Sequence, residues 1–382
     1  MKEIVTKYFR KGFRYKEILQ FLEHHHGIKI SLRTLQNKLK SYGLQKRNRY
    51  DDEDISNVLA DVNDHISRFG NTHGYRDIWH NLRLSGSTAS RDLVMVALRE
   101  LDPEGAISRK ARKLKRRNYH STGPNDVWHI DGYDKLKPFG FPVHGCIDGF
   151  SRKIIWLSYV KSNNDPYTVG KLYLKAVEDA NIVPRRVRTD CGSENIFFAA
   201  SQCFLRRNHT DVHAGDMAHL YGSSHHNQRI EAWWSQFRRM KTEFIINLFR
   251  DMINCGQYNS DDLLERACVR FCFGNLIQSE LDHCVEAWNS HYIRKSVHSE
   301  CYGRPEHLYY FPPGTFCNQA VSVDENDMQI ITDHLDEYHH CEDEDNIFDE
   351  YFEYLSSELN IENANNFVHA RDNYLSLLDH AR

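Results

Sequence analysis

No stretch of this chain approaches the about 18 consecutive apolar residues of a membrane-crossing helix. Its first residues, Met-Lys-Glu-Ile-Val-Thr-Lys-Tyr, lack the apolar core of a secretory signal. None of the ten cysteines forms a C-x-x-C pair, and a chain of 382 residues needs no disulfide staples. The expectation is reduced thiols in an intracellular protein. Histidine is plentiful, with 23 residues, but neighbours such as His24, His25 and His26 have no cysteine near them, which disfavours structural zinc. One sign of charge is missing locally: residues 324–362 hold 15 Asp and Glu and no Lys or Arg. The front is the opposite, with 13 Lys and Arg against 3 Asp and Glu in residues 1–50. The net charge of −4 hides this asymmetry, which points to a polyanion partner at one end and a solvating or regulatory segment at the other.

The basic front reads as short helices. Ile18, Leu19, Phe21 and Leu22 share one side, Gly27 turns the chain, and Ser31 caps a helix that places Leu32, Leu35 and Leu39 on one face. Arg33, Asn37, Lys38 and Lys40 point elsewhere. Helix, turn and basic-faced helix make the helix-turn-helix pattern over residues 1–50, with a plain bundle as the alternative. Residues 51–108 repeat the theme: Ile55, Val58, Leu59, Val62 and Ile66 fit one helix, and Leu93, Val94, Ala97, Leu98 and Leu101 another. This second unit reads as a DNA-binding domain or a spacer. Residues 109–117 carry seven basic residues in nine, including Arg109, Lys110, Arg112 and Lys113. Such a run suits a DNA-backbone linker, a nuclear import signal or a solvated helix face.

After the break at Ser121–Asp126 the rhythm becomes α/β. Strands are expected over Val127–Asp131, Pro142–Asp148 and Lys153–Val160, forming an antiparallel meander. A helix over Tyr167–Ala180, a strand over Arg185–Thr189 and a short helix over Phe197–Leu205 follow. A long helix then runs from Asn227, burying Ile230, Trp234, Phe237 and Phe244. Helical spacing returns over Asp261–His291.

Carboxylates stand where these elements stop or start. Asp131 ends the first strand, Asp190 follows a neighbouring one, and Glu231 lies in the first turns of the long helix. Phosphodiester cleavage and transfer require an activated oxygen nucleophile and a stabilised leaving oxyanion, and two Mg²⁺ ions provide both. Mg²⁺ takes hard oxygen ligands, usually a few carboxylates with water and phosphate. Asp131, Asp190 and Glu231 are therefore the candidate metal ligands. Each also has a plainer reading, as a turn-capping or surface acid. Glu194 competes for the third position, Asp148 reads as ordering its turn, Arg238 reads as a DNA-backbone contact, and Trp233 and Trp234 read as packing residues.

These residues resemble a family. Trp128-His-Ile-Asp131 is similar to the W-x-x-D of the retroviral-type integrase core, the DDE class shared with many transposases. Asp148-Gly-Phe-Ser-Arg resembles its D-x-x-S-R turn, Thr189-Asp190-x-Gly-x-Glu-Asn its second catalytic motif, and Asn227-Gln-Arg-Ile-Glu231 its N-x-x-x-E helix. The resemblance covers residues 122–250. It implies an α/β ribonuclease H-like core with a mixed five-stranded sheet, preceded by all-α helix-turn-helix domains and followed by a helical C-terminal region. It also implies DNA as substrate, Mg²⁺ or Mn²⁺ as a pair of ions, and a homo-oligomer, while the basic run at 109–117 points to a nuclear location. The expected organisation is 1–50, 51–108, a basic linker 109–121, the core 122–250, a helical post-core region 251–320 and an acidic tail 321–382. That tail either packs as a helix or acts as a DNA-mimicking arm.

Two departures stand out. Asp190 and Glu231 lie 41 positions apart, longer than the family commonly has, and the surplus is placed in the His-rich loop Arg206–His226. The His/Cys zinc module of retroviral integrases is absent, since the first cysteine is Cys146, which favours a transposon-like relative. Two functions from different classes follow: an active DDE recombinase, or a domesticated nucleic-acid-binding protein that keeps the fold without mobility. A ribonuclease H-like nuclease without strand joining suits the metals but not the helical front.

Overall fold

The structure, a computed structural model, describes all residues except 45–51, 70–72, 106–118, 223–226, 297–300 and 338–342, with the side chains of 52–54, 69, 240–241 and 343–346 also left aside. Arg109, Lys110, Arg112 and Lys113 therefore lie outside the described residues. The chain divides into two compact units, Met1–Tyr119 with Glu286–Leu308, and His120–Val285 with Tyr309–Arg382. Among the described residues no helix is long and apolar enough to cross a membrane.

The first unit is helical. Lys2–Arg10, Tyr15–His26 and Leu32–Ser41 pack through Val5, Phe13, Ile18, Phe21, Leu22, Leu35 and Leu39. Gly27 ends the second helix in the left-handed region (φ 62°), and the Ser31 hydroxyl accepts from the Thr34 N–H to start the third. Leu32, expected on the apolar face, is exposed at the first position of that helix, while Leu35 and Leu39 are buried. Asp52–Phe69, Tyr75–Leu84 and Arg91–Leu101 form a second cluster around Val58, Val62, Ile78, Val94, Ala97 and Leu98. Ile55 and Leu101, at the outer ends of their helices, are exposed. The returning segment Glu286–Leu308 ties into this unit through Arg304, 3.6 Å from the Glu17 carboxylate, and through Ser290, 2.9 Å from His80 Nε2.

The second unit is built on a five-stranded sheet of order β3-β2-β1-β5-β6. Its strands are β1 (Val127–Tyr133), β2 (Val143–Asp148), β3 (Ile154–Tyr159), β5 (Arg186–Thr189) and β6 (His219–Tyr221). The first three form the expected antiparallel meander, while β5 and β6 add parallel, so the sheet is mixed. A parallel neighbour needs a crossover. Helix Pro166–Ala180 lies in it, its start capped by the Asp165 carboxylate and its end turned by Asn181 at φ 49°. A small pair, β4 (Ile182–Val183) with β7 (Val321–Ser322), lies beside it. Strand β6 lies in the stretch that the sequence reads as a loop: it is three residues long, so it carries no alternation strong enough to read.

Strand β1 alternates between two environments. Trp128 and Ile130 join Cys146, Trp156, Val169, Tyr173 and Phe198 in the core beneath Pro166–Ala180 and Ile196–Leu205. His129, Asp131 and Tyr133 turn to the opposite face, which helix Gln228–Phe237 covers. The single long helix expected from Asn227 is interrupted. A π-turn, Arg238–Thr242, separates Gln228–Phe237 from Glu243–Asn254. A π-turn holds one residue more than an α-turn, so the buried stripe shifts by one position. Ile245, Phe249 and Met252 are buried, and Phe244 is only half-buried. The inserted turn places Thr242 so that its hydroxyl meets the Tyr133 hydroxyl at 2.8 Å.

The acidic segment is helical. Glu325–Glu337 packs Ile331 and Leu335 into the core of this unit, and Asp343–Glu358 and Phe367–Ala381 follow. Of the two alternatives for this stretch, the packed one describes residues 325–337.

Candidate active site

Asp131 lies on β1 directly opposite Gly145 on β2. Its Oδ2 accepts from the Trp234 indole N–H at 2.9 Å. Its carboxyl is pushed up to about 7, first by burial and then by the neighbouring charges of Glu231 and Asp190, against the opposing Trp234 hydrogen bond. Glu231 and Asp190 both act electrostatically on Asp131. Asp190 stands immediately after β5, half-buried, with its Oδ1 accepting from the Asn195 carboxamide at 2.8 Å. The Thr189 hydroxyl lies 2.9 Å from the Asp190 carbonyl oxygen and 3.1 Å from His219 Nε2, which locks the strand end to β6.

Glu231 is exposed in the first turn of Gln228–Phe237. Asn227 holds that turn in place: buried, it donates to the Ile130 carbonyl at 2.8 Å and its Oδ1 lies 2.7 Å from His129 Nδ1. Arg229 adds a hydrogen bond to the Gly149 carbonyl at 2.9 Å. Along one side of β1, His129, Asp131 and Tyr133 therefore meet Asn227, Trp234 and Thr242 in turn.

Of the other acids, Glu194 stays beside Asp190: its Oε1 lies 3.5 Å from the Asn195 nitrogen that bonds Asp190. The Glu194 carboxylate folds back over Gly192, where an added Cβ would sit 1.9 Å from Glu194 Oε1. Asp148 is fully buried and accepts from the Asn125 N–H and from both the N–H and hydroxyl of Ser151, at 2.6–2.7 Å, so it orders its turn. Arg238 is exposed at the start of the π-turn and pairs with Glu243 at 3.1 Å. Arg33 and Lys40 are exposed and Lys38 half-exposed on helix Leu32–Ser41 of the other unit.

Sequence reasoning assigned Trp234 to packing and gave Asn195 no role, and both bond to a candidate ligand. The signals were present: Asn195 closes the Thr189–Asn195 motif, and Trp234 lies three positions after Glu231 on the same helix side.

The donor types are those a hard divalent cation takes. They are carboxylate oxygens, and the strongest charges acting on Asp131 are both negative. Among the described residues no three His, Cys, Asp or Glu side chains are drawn together tightly enough to enclose an ion.

A mixed five-stranded sheet in this order, with acids on its central strand, beside it and on the covering helix, defines the ribonuclease H-like class. Residues 118–310, just over half of the chain, match the family model described as an integrase core domain, and the chain belongs to that family, a retroviral-type integrase core of the DDE superfamily. No curated protein matches the chain.

Proposed function

We propose that the protein is a DDE recombinase that cuts DNA ends and joins them to a target, with Asp131, Asp190 and Glu231 as its metal ligands. The observation that supports this reading is that Glu231 and Asp190 both act on the Asp131 carboxyl, adding to the burial that raises it to about 7. Two Mg²⁺ or Mn²⁺ ions held there would neutralise the phosphate and lower the pKa of the attacking hydroxyl. The chain's own residues prepare the place. Asn195 orients Asp190, Asn227 fixes the helix start that projects Glu231, and the Glu231 side chain is exposed at that start. Arg33, Lys38, Lys40, Arg238 and the run with Arg109, Lys110, Arg112 and Lys113 supply backbone contacts to DNA. The expected assembly is a homo-oligomer acting in the nucleus. Residues 1–50 and 51–108 serve as DNA-binding domains, joined by the linker 109–121 to the core 122–250.

Asp190→Asn should abolish Mg²⁺- or Mn²⁺-dependent strand transfer of labelled duplex ends while leaving DNA binding intact. Full strand transfer by that variant would overturn the reading. The openness of the acidic cluster favours a second reading, a domesticated DNA-binding member without transposition. Strand-transfer products from the wild-type chain, or inverted repeats flanking several gene copies, exclude it.

A further inference from the structure

We infer that Trp234 is a positioning residue: its indole N–H, seated in a notch left by Gly145, fixes the orientation in which Asp131 meets a cation. The inference rests on the reading of Asp131, Asp190 and Glu231 as metal ligands.

Three observations carry it. The Trp234 N–H points at Asp131 Oδ2 at 2.9 Å, and the indole is buried, tilted against Tyr133 with ring centres 5.1 Å apart. Room for the ring exists because β2 carries no side chain where it faces Asp131: a Cβ at Gly145 would sit 2.8 Å from Trp234 Cη2 and 3.3 Å from Leu157 Cδ1. Trp234 also belongs to the helix that presents Glu231, so one rigid element both offers one candidate ligand and aims another.

The chemistry of the indole suits this role. It is donor-only and neutral. A lysine or arginine in its place would bring a positive charge that competes with the cation, and a serine or asparagine can rotate or accept. The Trp234 N–H engages Oδ2 of Asp131 and leaves the negative charge in place, while the Gly132 backbone supplies a second hydrogen bond to the same carboxylate. Hydrogen bonds of this kind to metal ligands typically change metal affinity or activity about 10–100-fold.

The test uses the full chain with 3-benzothienylalanine at position 234, which keeps the shape of the side chain and removes the N–H. Mn²⁺ affinity, read by calorimetry, should weaken about tenfold, and the Mg²⁺ concentration needed for half-maximal strand transfer should rise with it. Gly145→Ala, which crowds the intact indole, should move both readouts in the same direction. Mn²⁺ affinity within about twofold of wild type in the benzothienyl protein would reduce Trp234 to a packing residue. The contact is read separately, without metal, from the indole N–H proton resonance of Trp234, identified by its loss in Trp234→Phe. That resonance should shift in Asp131→Asn, and an unmoved resonance overturns the inference. Wild-type Mn²⁺ affinity in both Asp190→Asn and Glu231→Gln would instead overturn the metal-site reading. A shifted indole resonance then locates the failure in the site and not in the Trp234 contact.

Discussion

His129 Nδ1 and Asn227 Oδ1 lie 2.7 Å apart, both side chains buried, one on the strand of Asp131 and the other at the head of the Glu231 helix. Because the Asn227 carboxamide nitrogen donates to the Ile130 carbonyl, its oxygen is the acceptor and His129 carries its proton on Nδ1. Asn227→Leu keeps the volume and orphans two buried polar groups, at about 1–3 kcal/mol each. The expected result is a lower midpoint in denaturant unfolding. The expected loss of strand transfer exceeds the folded fraction lost, because Glu231 then swings from an unpinned helix start. Activity that simply tracks the folded fraction would count against the pinning role.

Much of this site was legible in the sequence because each motif couples a carboxylate to an element boundary. The strand ending at Asp131 was readable, but only the structure shows that Trp128 and Ile130 enter the main core while Asp131 faces Trp234. The π-turn was not legible. Arg238–Thr242 has ordinary helix formers, and the inserted residue is stabilised by a tertiary bond from Thr242 to Tyr133, which no local spacing encodes. The Trp234 contact was hidden for the same kind of reason. An indole at a buried helical position reads as packing until the strand opposite it is known to carry Gly145.

The acid cluster predicts a response to metal. The Asp131 carboxyl is held up to about 7, against an ordinary 3.8, first by burial and then by Glu231 and Asp190. A carboxyl whose folded pKa is raised favours the folded state while protonated, so its contribution is fully present below about 3.8 and is eroded as pH rises through about 7. Asp131→Asn should therefore raise the Tm of the metal-free protein at pH 8 by on the order of a few degrees, and have little effect near pH 4. Mg²⁺ or Mn²⁺ should raise the Tm of the wild type and leave Asp131→Asn nearly unmoved. Equal stabilisation of both proteins by the ion would place its binding elsewhere.

Two buried histidines act at acid pH. Burial holds both His129 and His144 down to about 3, from an ordinary 6.5. Above about 6.5 neither state is protonated and the stability is intact; below it the unfolded chain binds protons that the folded one refuses. Unfolding free energy should fall by on the order of 1 kcal/mol per pH unit for each histidine between about pH 6 and pH 4. Denaturant unfolding across that range checks it. His144→Gln should remove one histidine's share of the slope, and an unchanged slope would mean that the ring is protonated without unfolding.

The docking of the acidic segment has its own test. Arg207 grips Asp327 through two parallel contacts of 2.7 Å, with Asp327 buried, and Ile331 and Leu335 of the same helix enter the core. A run of acids without a single Lys or Arg suggests a solvated arm, yet the spacing of Asp327, Ile331 and Leu335 puts all three on one helix side. Arg207→Ala leaves the Asp327 charge buried and unpaired. Breaking a buried pair costs about 3–5 kcal/mol, and the partial exposure of Arg207 argues for the lower end or less. Leu335→Ala removes apolar burial instead, at about 2–5 kcal/mol. Both variants should speed amide hydrogen exchange across Glu325–Glu337 more than in β1–β3. Exchange in that helix as fast in the wild type as in the variants would mean that the segment is released in solution, and the DNA-mimicking arm would then be the better description of it.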